Sequence, residues 1–278
     1  MLSYIHWNVD PTIFHLGPFE LFGLTVGPLA PRWYGLLFAL GFLIGFGLMR
    51  RVFLREGKPE EDLDFLLLYL LGGTIIGARL GHVLFYNPGY YLLHPGEIMQ
   101  VWEGGLASHG GLIGILIALG LYTRNRTGQT YLWLLDRLAP PVALTGALIR
   151  LGNLFNSEIL GVQTDVPWAF VFERVDMVPR HPAQLYESLS YLLIFVVLQI
   201  MYERLGALVP RGMLFGGFLV LIFGSRFFVE FVKVRQAAFG EALPLSMGQL
   251  LSLPVILVGA WLMIRAWRRS SRMGARSS

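Results

Sequence analysis

The sequence predicts an all-α polytopic membrane protein with seven transmembrane helices and a small strand-containing head outside the membrane. Composition is the first reason: of 278 residues 55% are hydrophobic and only 14% charged, where a soluble domain carries about a quarter charged residues. Mean hydropathy is +0.58. Periodicity is the second. Apolar runs near 33–53, 65–86, 105–123, 132–154, 185–202, 212–232 and 246–267 each have about the 18–22 residues that cross roughly 30 Å of hydrocarbon. Charge placement is the third. Lys and Arg mark the cytoplasmic side of short loops, and they concentrate in alternate connections: Arg50, Arg51, Arg55 and Lys58, then Arg124 and Arg126, then Arg204 and Arg211. The tail adds Arg265, Arg268, Arg269, Arg272 and Arg276. The opposite set, Arg32, Arg174, Arg180, Lys233 and Arg235, is sparser. This predicts the N-terminus outside and the C-terminus in the cytoplasm.

Taken in order, residues 1–32 are turn-rich, with Pro11, Pro18, Pro28 and Pro31, and are expected to lie on the outer membrane surface. No basic stretch precedes a short apolar core there, so no cleavable signal peptide is expected. Residues 33–154 hold spans one to four, with an exterior arm at 87–104. Residues 155–184 form the exterior head, in which Val166–Phe172 reads as a strand. Spans five to seven occupy 185–267, and 268–278 is a basic cytoplasmic tail. The net charge of +4 is accounted for by these loops. No basic stripe interleaved with aromatics calls for nucleic acid. The sequence has no cysteine, so any thiol chemistry uses a thiol brought by a partner.

With this topology the intramembrane polar groups fall in one layer, in the outer half of the bilayer. Tyr34 opens span one; Arg79 and His82 come late in span two, and His109 early in span three. Arg150 and Asn153 close span four. His181, Gln184, Tyr186 and Glu187 precede or open span five; Arg226 and Glu230 end span six; Gln249 opens span seven. Such groups are costly in a bilayer and mark function by default. Some have plainer readings. Arg226 and Glu230 are four apart and could neutralise each other, Arg79 could snorkel to the interface, and Asp136 and Arg137, nearer the inner side, are expected to pair with each other or with that interface. His109, in a run of glycines from Gly104 to Gly114, suits a headgroup ligand or general base, although Gly110 and Gly114 are also spaced for helix packing. Arg150 is the strongest anion-binding candidate, because a guanidinium keeps its charge when partly desolvated and its fork fits phosphate. No metal-ligand spacing and no nucleotide-binding motif is present, so no metal or other cofactor is expected. Phosphate recognition at this depth suggests a phospholipid headgroup.

Arg150–Gly161 (RLGNLFNSEILG) closely resembles the signature of the bacterial prolipoprotein diacylglyceryl transferases. Further matches follow in order: Arg32–Gly35 (RWYG), Ala78–Gly81 (ARLG), Ser108–Gly111 (SHGG), Arg180–Glu187 (RHPAQLYE), Arg226–Phe231 (RFFVEF) and Leu245–Gln249 (LSMGQ). The sequence departs from the usual pattern at Ile149, Ile222 and the stretch from Val232 to Gln236. The resemblance implies an enzyme of the bacterial cytoplasmic membrane with its active site toward the outer leaflet. Such an enzyme moves the diacylglyceryl group of phosphatidylglycerol to the lipobox cysteine in a prolipoprotein signal peptide. A thioether forms and glycerol phosphate leaves, the first step of lipoprotein maturation. It implies site residues Tyr34, His109, Arg150, Asn153, Glu158, Gly161, Arg226 and Glu230, with Arg150, Asn153, Glu158 and Gly161 at the lipid. His109 is expected as base, and Glu158 and Glu230 as the carboxylates that orient the two arginines. The competing class is an anion or lipid transporter, which would need polar groups continuing through the inner half.

Overall fold

The structure, a computed structural model, describes residues 4–21, 24–101, 104–234 and 245–274. Arg235, Gln236 and Arg276 lie outside these. Among the described residues, the long helices are α1 (Trp33–Arg55), α2 (Glu61–Phe85), α4 (Ser108–Arg124), α5 (Tyr131–Phe155), α6 (Ala183–Leu205), α7 (Met213–Val229) and α8 (Met247–Gly274), with a short α3 (Pro88–Leu93) between α2 and α4. Six helical segments among the described residues are long and apolar enough to cross a membrane. The seventh expected span, α4, has 17 residues, roughly 25 Å at the α-helical rise. Helix α2 starts four residues ahead of its apolar run. Its first turn carries Glu61, Asp62 and Asp64, and carboxylates there stabilise the helix N-terminus.

The chain forms two compact units, residues 1–48 with 136–278, and residues 49–135. In the larger unit the head contains more strand than its own sequence shows. β4 (Phe170–Phe172) and β5 (Pro179–Arg180) fall inside it, and β1 (Ile5–Trp7) joins from the N-terminal segment, parallel to β4. The N-terminal segment also forms the antiparallel pair β2 (Phe19–Leu21) and β3 (Leu24–Val26). β1 is three residues long and its partner lies far along the chain, so local periodicity gave no sign of it. Phe170, Phe172 and Leu154 make the head core, with Trp7, Leu151, Leu160 and Leu185 packed on it. The Trp7 indole donates to the Leu154 carbonyl at 3.1 Å, which ties the sheet to the end of α5.

Asp136 is fully buried, and besides its electrostatic interaction with the neighbouring Arg137 it has a second role. Its carboxylate accepts from the Gly212 N–H at 2.6 Å and the Phe215 N–H at 2.9 Å. Those are donors of the first turn of α7, which has no side-chain cap of its own. Gly212 enters the helix at φ +94°, a conformation that favours glycine. Asp136 is therefore a cap supplied from another helix.

In the smaller unit, α2 and α4 lie backbone against backbone. A Cβ on Gly77 would meet the Gly110 carbonyl, and one on Gly114 the Gly73 carbonyl. The glycines beside His109 thus serve helix packing. Arg79 is buried rather than snorkelling. Its guanidinium donates to the carbonyls of Glu97 at 2.5 Å, Gly104 at 2.7 Å, Ile98 at 2.9 Å and Gly105 at 3.3 Å, and it lies over the Tyr91 ring. One buried cation holds the segment between α3 and α4 to α2. Arg79→Met is expected to leave those carbonyls without their donor and release the segment, measured as faster amide exchange and proteolysis confined to residues 95–106.

Candidate active site

The end of α5 does not stop at a simple turn. After Phe155 the chain passes through Ser157 at φ +53° and Ile159 at φ +60°, left-handed conformations that cost a non-glycine residue about 1–3 kcal/mol each. These two strained residues flank Glu158 and are held by a dense set of bonds. The Glu158 N–H donates to the Asn153 carbonyl at 3.1 Å, and Gln184 donates to the Glu158 carbonyl at 2.6 Å. The amides of Asn153 and Asn156 donate to the Glu158 carboxylate at 2.8 and 3.1 Å.

Three chain segments are then joined through their backbones. The Gly161 N–H donates to the His181 carbonyl and the His181 N–H to the Val162 carbonyl; the Val162 N–H reaches Val232, and the Val234 N–H reaches Leu160. Gly161 sits where they cross. A Cβ there would overlap the His181 carbonyl, and that backbone is fixed on both sides. Gly161→Ala should therefore disrupt this junction and lower the melting temperature measurably. A variant with unchanged melting temperature but lost lipid binding would instead make Gly161 a direct contact.

The junction assembles a buried row of alternating charge. Arg150 on α5 meets Glu187 on α6 (Nε to Oε2, 3.1 Å), Glu187 meets Lys233 (Oε1 to Nζ, 3.3 Å), and Lys233 meets Glu230 (Nζ to Oε2, 3.4 Å). The Glu187 side chain is 0% exposed, that of Lys233 7%, that of Arg150 16%. Ser246 donates to the other Glu230 oxygen at 3.0 Å. Gly248 leaves room for this carboxylate, which a Cβ would approach to 2.6 Å. Glu187 engages the Nε edge of Arg150, and Asn153 accepts weakly from a terminal nitrogen at 3.4 Å. Among the described residues no second carboxylate lies within ion-pair distance of Arg150. The guanidinium also hydrogen-bonds the Tyr191 hydroxyl, a neutral partner that leaves its positive charge uncancelled.

Several expected residues converge here. Tyr34 packs its ring on Gly152 and lies within electrostatic reach of Glu158 and Arg150. The buried Tyr191 is within reach of Glu187, Arg150 and Arg226, which directs Arg226 toward the same place. The partners differ from expectation. The carboxylate on Arg150 is Glu187, while Glu158 acts on it only through Asn153. Glu230 is engaged by Lys233 rather than by Arg226. His109 belongs to the other unit, exposed on the first turn of α4. Neither Glu187, one of the outer-layer polar groups, nor Lys233 was assigned a site role from the sequence. Glu187 was visible as the last residue of the Arg180–Glu187 match, but Lys233 looked like one more exterior charge.

The sequence model of the family described as prolipoprotein diacylglyceryl transferase matches residues 21–265. A phosphatidylglycerol–prolipoprotein diacylglyceryl transferase of Chloroherpeton thalassium is 51% identical over 268 residues, covering 96% of each chain. One from Tolumonas auensis is 50% identical, over 96% of this chain and 100% of its own, and one from Porphyromonas gingivalis is 46% identical over 95% of each. With matches of this extent, and with helices built to cross a membrane several times, the chain belongs to the prolipoprotein diacylglyceryl transferase family.

Proposed function

We propose that this protein transfers the diacylglyceryl group of phosphatidylglycerol to the lipobox cysteine of prolipoprotein signal peptides, at the outer leaflet of the bacterial cytoplasmic membrane. In this reading α4 completes seven spans, with the N-terminus outside and the C-terminus in the cytoplasm. The observation that carries the reading is Arg150, a largely buried cation fixed along one edge by Glu187 and otherwise met only by the neutral groups of Asn153 and Tyr191.

The chemistry balances with the two substrates alone. The cysteine sulfur attacks the glyceryl carbon, a C–S bond forms, and the C–O bond to phosphate breaks. The electron pair leaves on glycerol phosphate, and the thiol proton passes to a base. A thiol has a pKa near 8.5, so a base at neutral pH raises the thiolate fraction; His109 is assigned that role. Arg150 and Arg226 stabilise the charge that grows on the phosphate oxygens, and preorganised charges of this kind give the largest single contribution in many active sites. Asn153, Glu158 and Tyr34 hold the surroundings of Arg150 in place. Transport of an anion is less well supported, because Asp136, an acid of the inner half, is committed to capping α7.

The test incubates purified protein with phosphatidylglycerol and a lipobox peptide and looks for the diacylglyceryl mass added to the peptide. A Cys→Ser peptide should gain none. His109→Gln should slow transfer by about a hundredfold, within the range general bases contribute, and the loss should shrink as pH approaches the thiol pKa. Full activity in that variant at neutral pH would remove the base assignment and leave the transfer standing.

A further inference from the structure

The Lys233 ammonium has no solvent-facing function that its position would permit. It is 8% exposed and lies 3.3 Å from Glu187 and 3.4 Å from Glu230. Burying a cation between two carboxylates costs several kcal/mol of hydration per ion, so stability alone is a weak reason for the arrangement. Its consequence for Arg150 is more specific. If Glu187 faced Arg150 alone, one full negative charge would neutralise the guanidinium and weaken its hold on any anion. In the row as built, Glu187 gives one oxygen to each cation. Arg150 is then oriented by a carboxylate that only partly cancels its charge.

We propose that Lys233 is a positioning residue for the lipid headgroup: by drawing on the Glu187 carboxylate, it sets how much positive charge Arg150 presents to the phosphate. Glu230, anchored by Ser246, fixes Lys233 from the other side, and the pairing of residues 232–234 with 160–162 holds the backbone that carries it. The proposal rests on the reading of Arg150 as the phosphate ligand. Lys233 touches no substrate in this account; it acts through Glu187.

The test measures initial rates with the full chain in mixed micelles, varying the mole fraction of phosphatidylglycerol at saturating peptide. Lys233→Met is expected to raise KM for the lipid about tenfold, the ratio that 1.4 kcal/mol sets, with kcat changed by less than about threefold. Lys233→Arg should restore a KM near the wild-type value. In Lys233→Met/Glu187→Gln the carboxylate is lost with the ammonium, so Arg150 regains its charge and KM should return toward wild type. A wild-type KM in Lys233→Met, or a double variant as poor as the single one, overturns the proposal. If Lys233→Met does not fold, Glu187→Gln is compared with the double variant. Without the carboxylate Lys233 has nothing to share, so the two must have equal KM, and a further rise on losing Lys233 contradicts the relay. Failure of the underlying reading is a separate result: wild-type lipid kinetics in Arg150→Gln.

Discussion

Arg150→Gln is expected to reduce transfer from phosphatidylglycerol by about a thousandfold, the scale on which removal of a preorganised charge-stabilising group acts. Glutamine keeps a polar side chain that can still meet Glu187 and Asn153, so the structural role is largely retained while the charge is removed. Leaving Glu187 with Lys233 as its sole cation costs some stability, which a melting curve separates from the kinetic loss. Arg150→Lys should fall between the two. It retains the charge, but an ammonium is a point charge that cannot hold Glu187 along one edge and a phosphate along another. Loss in kcat/KM for the lipid, with the peptide KM little changed, assigns the defect to the headgroup.

Asp136→Ala should be the most destabilising single change away from the site. The Asp136 carboxylate satisfies two donors at the start of α7, at 2.6 and 2.9 Å, in a fully buried position. Hydrogen bonds to a charged group contribute about 1.5–3 kcal/mol each, and an orphaned buried donor adds its desolvation penalty. The expected loss is about 3–5 kcal/mol, read as a large drop in melting temperature in detergent. Asp136→Asn, which keeps one acceptor oxygen, should lose about half as much. Because α7 carries Arg226 and leads into Glu230 and Lys233, the same variant should lose activity in proportion to its folded fraction. An active and stable Asp136→Ala protein would show that α7 does not depend on this cap.

Much of this was legible in the sequence for definite reasons. Long apolar runs bounded by charged loops give helices because a bilayer leaves the backbone few other ways to satisfy itself, and the predicted runs fall on the observed helices within a few residues, except that α8 continues through the basic residues after 267 to Gly274. The strand at Phe170–Phe172 was visible as a short apolar β-favouring run. Pairing partners were not. β1 and the 232–234 segment find their partners through contacts 70 or more residues away in sequence, and no local period encodes them. The site shows the same division. Arg150, Asn153 and Glu158 were legible as polar residues where apolar ones belong. Glu187 as the Arg150 partner, and Lys233 as the link to Glu230, emerge only when three segments cross at Gly161. Glycines near His109 were ambiguous by nature, since close packing and ligand approach ask for the same residue.

The most direct test of the account follows both products of one reaction. Purified protein, phosphatidylglycerol and a lipobox peptide are incubated, and thioether-linked diacylglyceryl peptide and glycerol phosphate are quantified together by mass spectrometry. The wild type should give the two products in one-to-one ratio, and both should fall together in Arg150→Gln. Glycerol phosphate released without thioether, or thioether formed at the wild-type rate by Arg150→Gln, would contradict it.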